Sequence, residues 1–131
     1  YRVLKENGIV YAETPFMQQV HEGAYDFTRY TVLGHRYLFR QFHALSIGGN
    51  KGSPTTLSWS IKYFIWSVFR SRLLASILGF LFKLILRPFE LIISESSLFD
   101  GSSGVYFLGY KDKTISLKHK DLVELYKGNI K

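Results

Sequence analysis

The spacing of hydrophobic and polar positions changes several times along the chain, and each change marks the start of a predicted secondary-structure element. Residues 9–11 are apolar, follow Asn7 and Gly8, and continue without polar alternation until Glu13. Such a run is typical of a central parallel strand that is covered on both faces. Residues 1–8 resemble a helix end in which Asn7 and Gly8 form a left-handed stop. A helix, a glycine turn and a buried strand together predict the second half of a βαβ unit.

Four further segments have clear secondary-structure patterns. Thr31 is a natural N-cap for a helix over 31–42, where apolar residues recur at helical spacing. Residues 43–49 predict a short strand, and residues 105–108, enclosed by glycines, predict another. An amphipathic helix beginning near residue 116 closes the chain. Its inward-facing side chains are expected to be Leu122, Val123 and Leu125.

The segment 57–94 is rich in aromatic and basic residues. Its longest stretch without charge, 73–82, is far shorter than the roughly 20 apolar residues that span a bilayer. Gly79 weakens the helix and Pro88 breaks or kinks it, which predicts two or three helices. The segment suits either an interfacial membrane helix or a helical cap whose Lys and Arg side chains snorkel outward. Apolar residues nearly surround the helix axis, and this favours the cap.

The composition limits the classes of function. The chain carries 17 Lys and Arg against 10 Asp and Glu, a net charge of +7, which favours anionic partners such as phosphates or acidic lipid headgroups. The basic residues are scattered and match no nucleic-acid-binding module, so we expect no nucleic-acid partner. Because the chain has no cysteine, disulfides, thiolate catalysis and cysteine-based zinc sites are excluded, and we expect no metal.

The densest polar chemistry follows the first predicted strand. In open parallel sheets, ligands collect at the carboxyl ends of the strands, where Glu13 lies. Glu13 therefore either faces a ligand crevice, pairs with an arginine or caps a helix. The loop beyond it carries groups that accept protons, hold anions or stack on rings. These groups are His21, Glu22, Tyr25, Asp26, Arg29 and Tyr30.

Some of these side chains also suit a structural role. Asp26 and Arg29 fit an ion pair surrounded by packed tyrosines. His21 has no helical core to join, which favours a functional role. His35, on the predicted helix, is expected to pack or to lie at the surface.

The motifs in their order resemble the C-terminal half of class I S-adenosylmethionine-dependent methyltransferases of the type 11-like kind. The family's lysine-and-glycine turn into its fifth strand is similar to YRVLKENGIVYAETPF, and the segment after that strand is similar to HEGAYDFTRYTVLGHRYLF. One subgroup with a helical insertion before the last strand has landmarks similar to GSPTTLSWSIKYF and SSGVYFLGYK. Together these motifs cover nearly the whole chain.

The resemblance implies an α/β fold. Residues 1–131 would be the C-terminal part of one methyltransferase domain, with a partial Rossmann-like sheet whose last strand enters antiparallel. Residues 55–98 would be a helical insertion within it. The chain starts at Tyr1 without a leader sequence and lacks the family's glycine-rich loop and acidic ribose ligand, so we interpret it as a fragment without the cofactor-binding half. Neither 48–49 nor 101–104 is expected to have the strand–loop–helix context that would replace that loop.

The implied activity is methyl transfer from S-adenosylmethionine to a small-molecule, glycan or lipid-linked acceptor. Glu13 and His21 would be catalytic, each acting as a base or orienting the acceptor. The fragment alone would be inactive, and its location would be cytoplasmic, with membrane-surface contact under the interfacial interpretation. Five side chains would bind the acceptor: Phe16, Tyr25, Asp26, Arg29 and Tyr30.

A second class of function does not need catalysis. The basic, aromatic segment 57–94 also suits a peripheral membrane or partner-binding module. Salt-sensitive binding to anionic vesicles would favour this alternative.

Overall fold

The computed structural model describes residues 1–20 and 22–130, and the fold is mixed α/β, in agreement with the expected class. The strands are β1 (Ile9–Pro15), β2 (Phe42–Asn50) and β3 (Gly104–Lys111). The α-helices are α1 (Val32–Leu38), α2 (Ser53–Phe69), α3 (Arg72–Leu86), α4 (Glu95–Gly101) and α5 (His119–Val123). Short 3-10 helices cover Gly23–Tyr25 and Arg87–Ile92.

The three strands form one sheet in the order β1-β3-β2. Because β3 pairs antiparallel with both neighbours, β1 and β2 run parallel to each other on either side of it. Burial alternates along β3, where Val105 and Phe107 are fully buried, so this strand suits the centre of the sheet.

β1 is an edge strand of this sheet, and Ile9 and Tyr11 are 67% and 60% exposed. The prediction that residues 9–11 form a central parallel strand covered on both faces is therefore wrong for the part of the chain that the structure describes. A short apolar run indicates a strand, but it does not specify the neighbouring strand or its direction.

One face of the sheet packs against α1 and α4. Val32 from α1, Phe99 from α4 and Val105 from β3 form the buried cluster at this face. Thr31 caps α1 as predicted, since its Oγ1 accepts a hydrogen bond from a backbone N–H of the first turn at 3.1 Å. His35 on α1 is buried against the same face, which confirms a packing position for this side chain.

α1 is shorter than the helix predicted over 31–42. The Arg36 guanidinium donates hydrogen bonds to the backbone oxygens of Phe39 and Phe42, at 2.6 and 2.9 Å. These bonds stabilise a turn after Leu38, so the chain leaves the helix and begins β2 at Phe42.

Residues 1–8 form turns and not the predicted helix end. Asn7 has a positive φ of 59°, so the left-handed stop is present without a helix. The segment is attached to the end of β3, where Asn7 N donates to Lys111 O at 3.2 Å and Lys111 Nζ donates to Leu4 O at 2.6 Å. These tertiary hydrogen bonds replace helical ones.

The closing helix α5 is also shorter than predicted. Its first turn is capped by Asp121, whose carboxylate accepts a hydrogen bond from Lys118 N at 2.8 Å. Leu122 is buried as expected, but Val123 is 73% exposed because a helix of five residues presents only a narrow inward side.

α2 and α3 form a helical hairpin that begins two residues before the predicted insertion 55–98. The chain turns at Arg70, which has a positive φ of 53°, and Ser71 caps α3. Gly79 does not break α3. It lies against α2, because a Cβ at this position would be 2.8 Å from Lys62 Cβ.

The outward side of α3 is exposed, so α3 is not the fully covered cap that the sequence favoured. Pro88 follows α3 in the 3-10 helix Arg87–Ile92, as expected for a break. Along residues 1–20 and 22–130, no helix combines the length and the apolar character that crossing a bilayer requires.

Candidate functional site

A cavity of about 700 Å³, here called the crevice, opens at the carboxyl ends of the parallel strands β1 and β2. Its walls include Glu13 from β1, Asn50 at the end of β2, Trp59 from α2 and Tyr25 from the loop after β1. Strand ends, loops and a helix N-terminus converge here, as they do where open α/β sheets bind ligands. Glu13 therefore faces a crevice, which was the first of its expected positions.

The Glu13 carboxylate has defined neighbours. Asn50 Nδ2 donates a hydrogen bond to Glu13 Oε1 at 2.6 Å, which links the carboxyl ends of β1 and β2. Hydrogen bonding to Glu13 raises the pKa of Tyr11, two residues earlier on the same face of β1. Glu13 itself is exposed and lines the crevice.

Arg29 and Asp26 stabilise the loop over the crevice. The Arg29 guanidinium forms an ion pair with Asp26, and its hydrogen bonds to that carboxylate raise the pKa of Arg29. Arg29 Nη2 also donates to Gln19 O at 2.9 Å, and Nε donates to Gln18 O at 3.3 Å. One guanidinium thus fixes two separate parts of the loop, which is the structural role that the sequence left open.

The same loop is attached to the sheet and to the helical hairpin. Gln18 Nε2 donates to Ser103 Oγ at 2.8 Å, at the start of β3. Gln19 Nε2 donates to Ser60 Oγ at 3.1 Å, and Tyr63 OH donates to Val20 O at 3.2 Å, so α2 supports the other side. The crevice therefore lies between the strand ends and the hairpin.

The remaining predicted site residues occupy different positions. Tyr25 lines the crevice and is 81% exposed, and Asp26 lines it as well. Phe16 and Tyr30 instead pack against the buried cluster beneath it, and neither lines the crevice. His21 lies outside the described residues.

Sequence reasoning missed several wall residues because they come from distant segments. Asn50 ends β2 and Lys51 follows it, Thr55 and Trp59 belong to α2, and Ser103 precedes β3. Local sequence does not show that these segments meet. The available indication was the order of elements, since strand ends and helix starts in a parallel arrangement share one edge.

A second cavity, of about 920 Å³ and here called the groove, runs along the helical hairpin. Phe80, Leu84 and Leu91 provide much of its apolar wall. The groove and the crevice share three lining residues: Lys51, Thr55 and Trp59. The two cavities therefore adjoin at the start of α2.

The first turn of α2 already holds an anionic group. The Glu90 carboxylate accepts hydrogen bonds from Gly52 N at 2.7 Å and from Thr55 N at 2.9 Å. Burial alone would raise the pKa of Glu90, but the hydrogen bonds from Thr55 and Gly52 outweigh it, so the pKa is lowered. Glu90 therefore satisfies the N–H groups that would otherwise bind an external anion.

The glycines do not provide a cofactor cradle. Residues 48–49 belong to β2 and pair with β3, so they do not form the turn that connects β2 to α2. A Cβ at Gly49 would lie 2.2 Å from Leu98 O, so the absence of a side chain serves the packing of α4 on β2. With the N–H groups of Gly52 and Thr55 bonded to Glu90, neither the start of α2 nor Gly49 offers a cradle for a cofactor.

Metal-ligating side chains and similarity to known proteins give no further indication of function. Among residues 1–20 and 22–130, no three side chains of His, Asp or Glu meet in a way that would hold a metal ion. No protein-family model matches the sequence, and neither the curated proteins nor the solved structures include a significant match.

Proposed function

We propose that this chain forms the acceptor-binding part of an S-adenosylmethionine-dependent methyltransferase with a Rossmann-like sheet. The observation that carries the proposal is the sheet itself. An antiparallel last strand lies between two parallel strands, and a crevice opens at the carboxyl ends of those strands. The resemblance to the methyltransferase family implies an antiparallel last strand.

The free edge and the uncovered face of the sheet support the same proposal. β1 is unpaired on its outer side within residues 1–20 and 22–130, and Ile9 and Tyr11 are largely exposed there. An edge strand with exposed apolar side chains is a template for pairing with further strands. We propose that cofactor-binding strands from outside this chain pair with β1, because β1 forms the edge of the described sheet.

Glu13 would act on the acceptor. Asn50 donates a hydrogen bond to Oε1, Tyr11 makes a further hydrogen bond to the same side chain, and Glu13 lines the crevice. An acceptor hydroxyl or amine within hydrogen-bonding distance of this carboxylate would pass its proton to Glu13 as it becomes nucleophilic, and a positioned base of this kind contributes about 100-fold or more to a rate. Tyr25 would provide a ring against which the acceptor stacks.

The proposal is tested by methyl incorporation with the intact protein. Labelled S-adenosylmethionine is supplied together with a fractionated pool of glycans, lipids and small molecules, and labelled product is measured. Glu13→Gln keeps the size and the hydrogen bond to Asn50 but removes the base, so turnover should fall about 100-fold. Glu124→Gln changes an exposed glutamate next to α5 and should leave turnover unchanged.

His21→Ala provides a second variant for the same assay. Turnover should fall without a change in folding, and unchanged turnover would remove His21 from a catalytic role. If the intact protein neither binds S-adenosylmethionine nor transfers its methyl group, the proposed activity is wrong.

A further inference from the structure

One side of α3 is apolar and exposed over its whole length. Successive residues are about 100° apart on a helix, so its seven outward apolar side chains fall within a sector of about 140°. This side is here called the apolar face, and its members are all exposed: Leu73, Leu74, Ile77, Phe80, Leu81, Leu84 and Ile85. Ala75 and Gly79, on the opposite side, are buried towards α2. Contiguous exposed apolar surface of this kind marks an interaction site.

Basic side chains border the apolar face. Arg70 lies at the turn of the hairpin, and Arg72, Lys83 and Arg87 follow along α3, all exposed. The segment 53–94 contains five basic residues and one acidic residue, so its net charge is 5 − 1 = +4. That acidic residue, Glu90, is already bound to the first turn of α2. The surroundings of the apolar face are therefore positive and complement an anionic surface.

We propose that the apolar face of α3 docks the protein peripherally on an anionic lipid bilayer. A helix with a continuous apolar side and basic flanks lies in the plane of the interface and buries that side among the acyl chains. A second copy fits this face less well, since pairing two such faces would bring both sets of arginines and lysines together. The length of α3, 15 residues, suits a helix that lies on the membrane and does not cross it.

The groove connects the apolar face of α3 with the crevice. Phe80 and Leu84 belong both to the apolar face and to the wall of the groove, and Lys83 and Arg87 line the groove as well. Because the groove adjoins the crevice at Trp59, docking would bring the entrance of the groove to the headgroup region of the bilayer. The docking itself goes beyond the proposed methyl transfer and does not depend on it.

Vesicle flotation with the intact protein tests the proposal in the absence of any methyl donor. Vesicles of phosphatidylcholine with phosphatidylserine are compared with vesicles of phosphatidylcholine alone, at low and high salt. We expect binding to the anionic vesicles that weakens as salt increases, because salt screens the attraction between lysines or arginines and the lipid headgroups. Since no transfer is measured, a failure here is distinct from a failure of the proposed activity.

Two pairs of variants separate the apolar and the basic contributions. The double variant Ile77→Ser, Leu81→Ser should reduce vesicle affinity about tenfold or more, since two exposed apolar side chains no longer enter the bilayer. Its control, Val123→Ser with Ile130→Ser, changes side chains that are 73% and 77% exposed outside the hairpin and should leave affinity unchanged.

The second pair tests charge. Lys83→Gln with Arg87→Gln should weaken binding about 30-fold, at about fivefold per basic residue near the surface. Lys5→Gln with Lys127→Gln removes two exposed lysines elsewhere and should have little effect. Circular dichroism should be the same for all four double variants, because every substituted side chain is solvent-exposed.

Three results would overturn the proposal. One is the absence of binding to anionic vesicles at low salt. Another is equal binding to neutral and anionic vesicles, because the basic flank would then have no role. The third is a dimer in solution that the Ile77→Ser, Leu81→Ser variant dissociates, which would assign the apolar face to a second copy.

Discussion

The covered face of the sheet and the helix α3 contain similar apolar residues, but these residues are buried on the sheet and exposed on α3. On the sheet, Val105 and Phe107 are fully buried beneath α1 and α4. On α3, Phe80 and Ile85 are 60% and 63% exposed. Burial of apolar area is the main favourable contribution to folding, so the first region stabilises this fold and the second contributes little to it. Within residues 1–20 and 22–130, the outward side of α3 is left uncovered, and this is the side that we propose to dock on a membrane.

The largest expected effect on stability comes from removing a phenylalanine ring from the covered region, and removing one from α3 provides the comparison. Phe107→Ala leaves a cavity in the core and should lower the free energy of unfolding by about 3–5 kcal/mol. Phe80→Ala removes an exposed ring and should change it by less than about 0.5 kcal/mol. Urea unfolding of both variants measures the difference. Equal losses would contradict the division into a covered and an uncovered region.

A pair of glycines tests how tightly α4 covers the sheet. Gly49→Ala would place a Cβ 2.2 Å from Leu98 O, and this backbone contact cannot relax cheaply. Overpacking of this kind costs about 1–3 kcal/mol. Gly101→Ala meets nothing within 4 Å and serves as the control. A Gly49→Ala variant as stable as the Gly101→Ala variant would show that α4 packs loosely on β2.

The stability that the covered region provides should also decrease at acidic pH, because His35 is buried there. Burial lowers the pKa of this imidazole below its ordinary value of 6.5, and the backbone of Tyr106 offsets part of the effect. Below pH 6.5 the unfolded chain therefore binds more protons than the folded one, so stability falls as the pH falls. The slope can reach about 1.4 kcal/mol per pH unit.

His35→Met removes this titration from the covered region. Between the lowered pKa of His35 and pH 6.5, part of the pH dependence of stability comes from His35, and the variant should lose that part. His119→Gln, which removes an exposed imidazole, should retain it. Urea midpoints measured across this pH range distinguish the two, and an unchanged slope in His35→Met would contradict the account of burial.

The smallest effect concerns the contact between the hairpin and the chain after it. Glu90→Gln weakens the charged cap on α2 and should cost about 1 kcal/mol. Because the pKa of Glu90 is lowered from 4.5, its stabilisation is present above that pH and is lost as the pH falls further. Faster amide exchange at the start of α2 would report the loss, and Glu95→Gln is the matched control.

Sequence patterns predicted local elements better than their neighbours. The glycine-enclosed run 105–108 became β3 and Thr31 became the cap of α1, because both depend on adjacent residues. Within the described residues, the run 9–11 lies at the sheet edge and pairs antiparallel with β3, which its apolar pattern did not indicate, since strand pairing depends on distant segments. The sequence favoured a covered helical cap but left an exposed interfacial helix open, because apolar residues alone do not say whether the chain itself covers them.

In the candidate site, too, contacts between distant segments could not be predicted from the sequence. Glu13 could be placed at a crevice because it ends an apolar run, and its catalytic role stays a prediction. The ion pair of Asp26 with Arg29 was among the expected alternatives, and the structure shows that it fixes the loop. Asn50 and Trp59 could not be assigned, because they meet Glu13 only after the sheet and the hairpin have formed.

The contrast between covered and uncovered apolar regions is tested most directly by a single fluorescent label. The chain has no cysteine, so Ile77→Cys and Val123→Cys each provide one position for an environment-sensitive dye. On addition of anionic vesicles, the dye at residue 77 should shift to the emission of an apolar environment, and the dye at residue 123 should keep its emission in water. If the two labels respond alike, or if neither responds, α3 is not the surface that contacts the membrane.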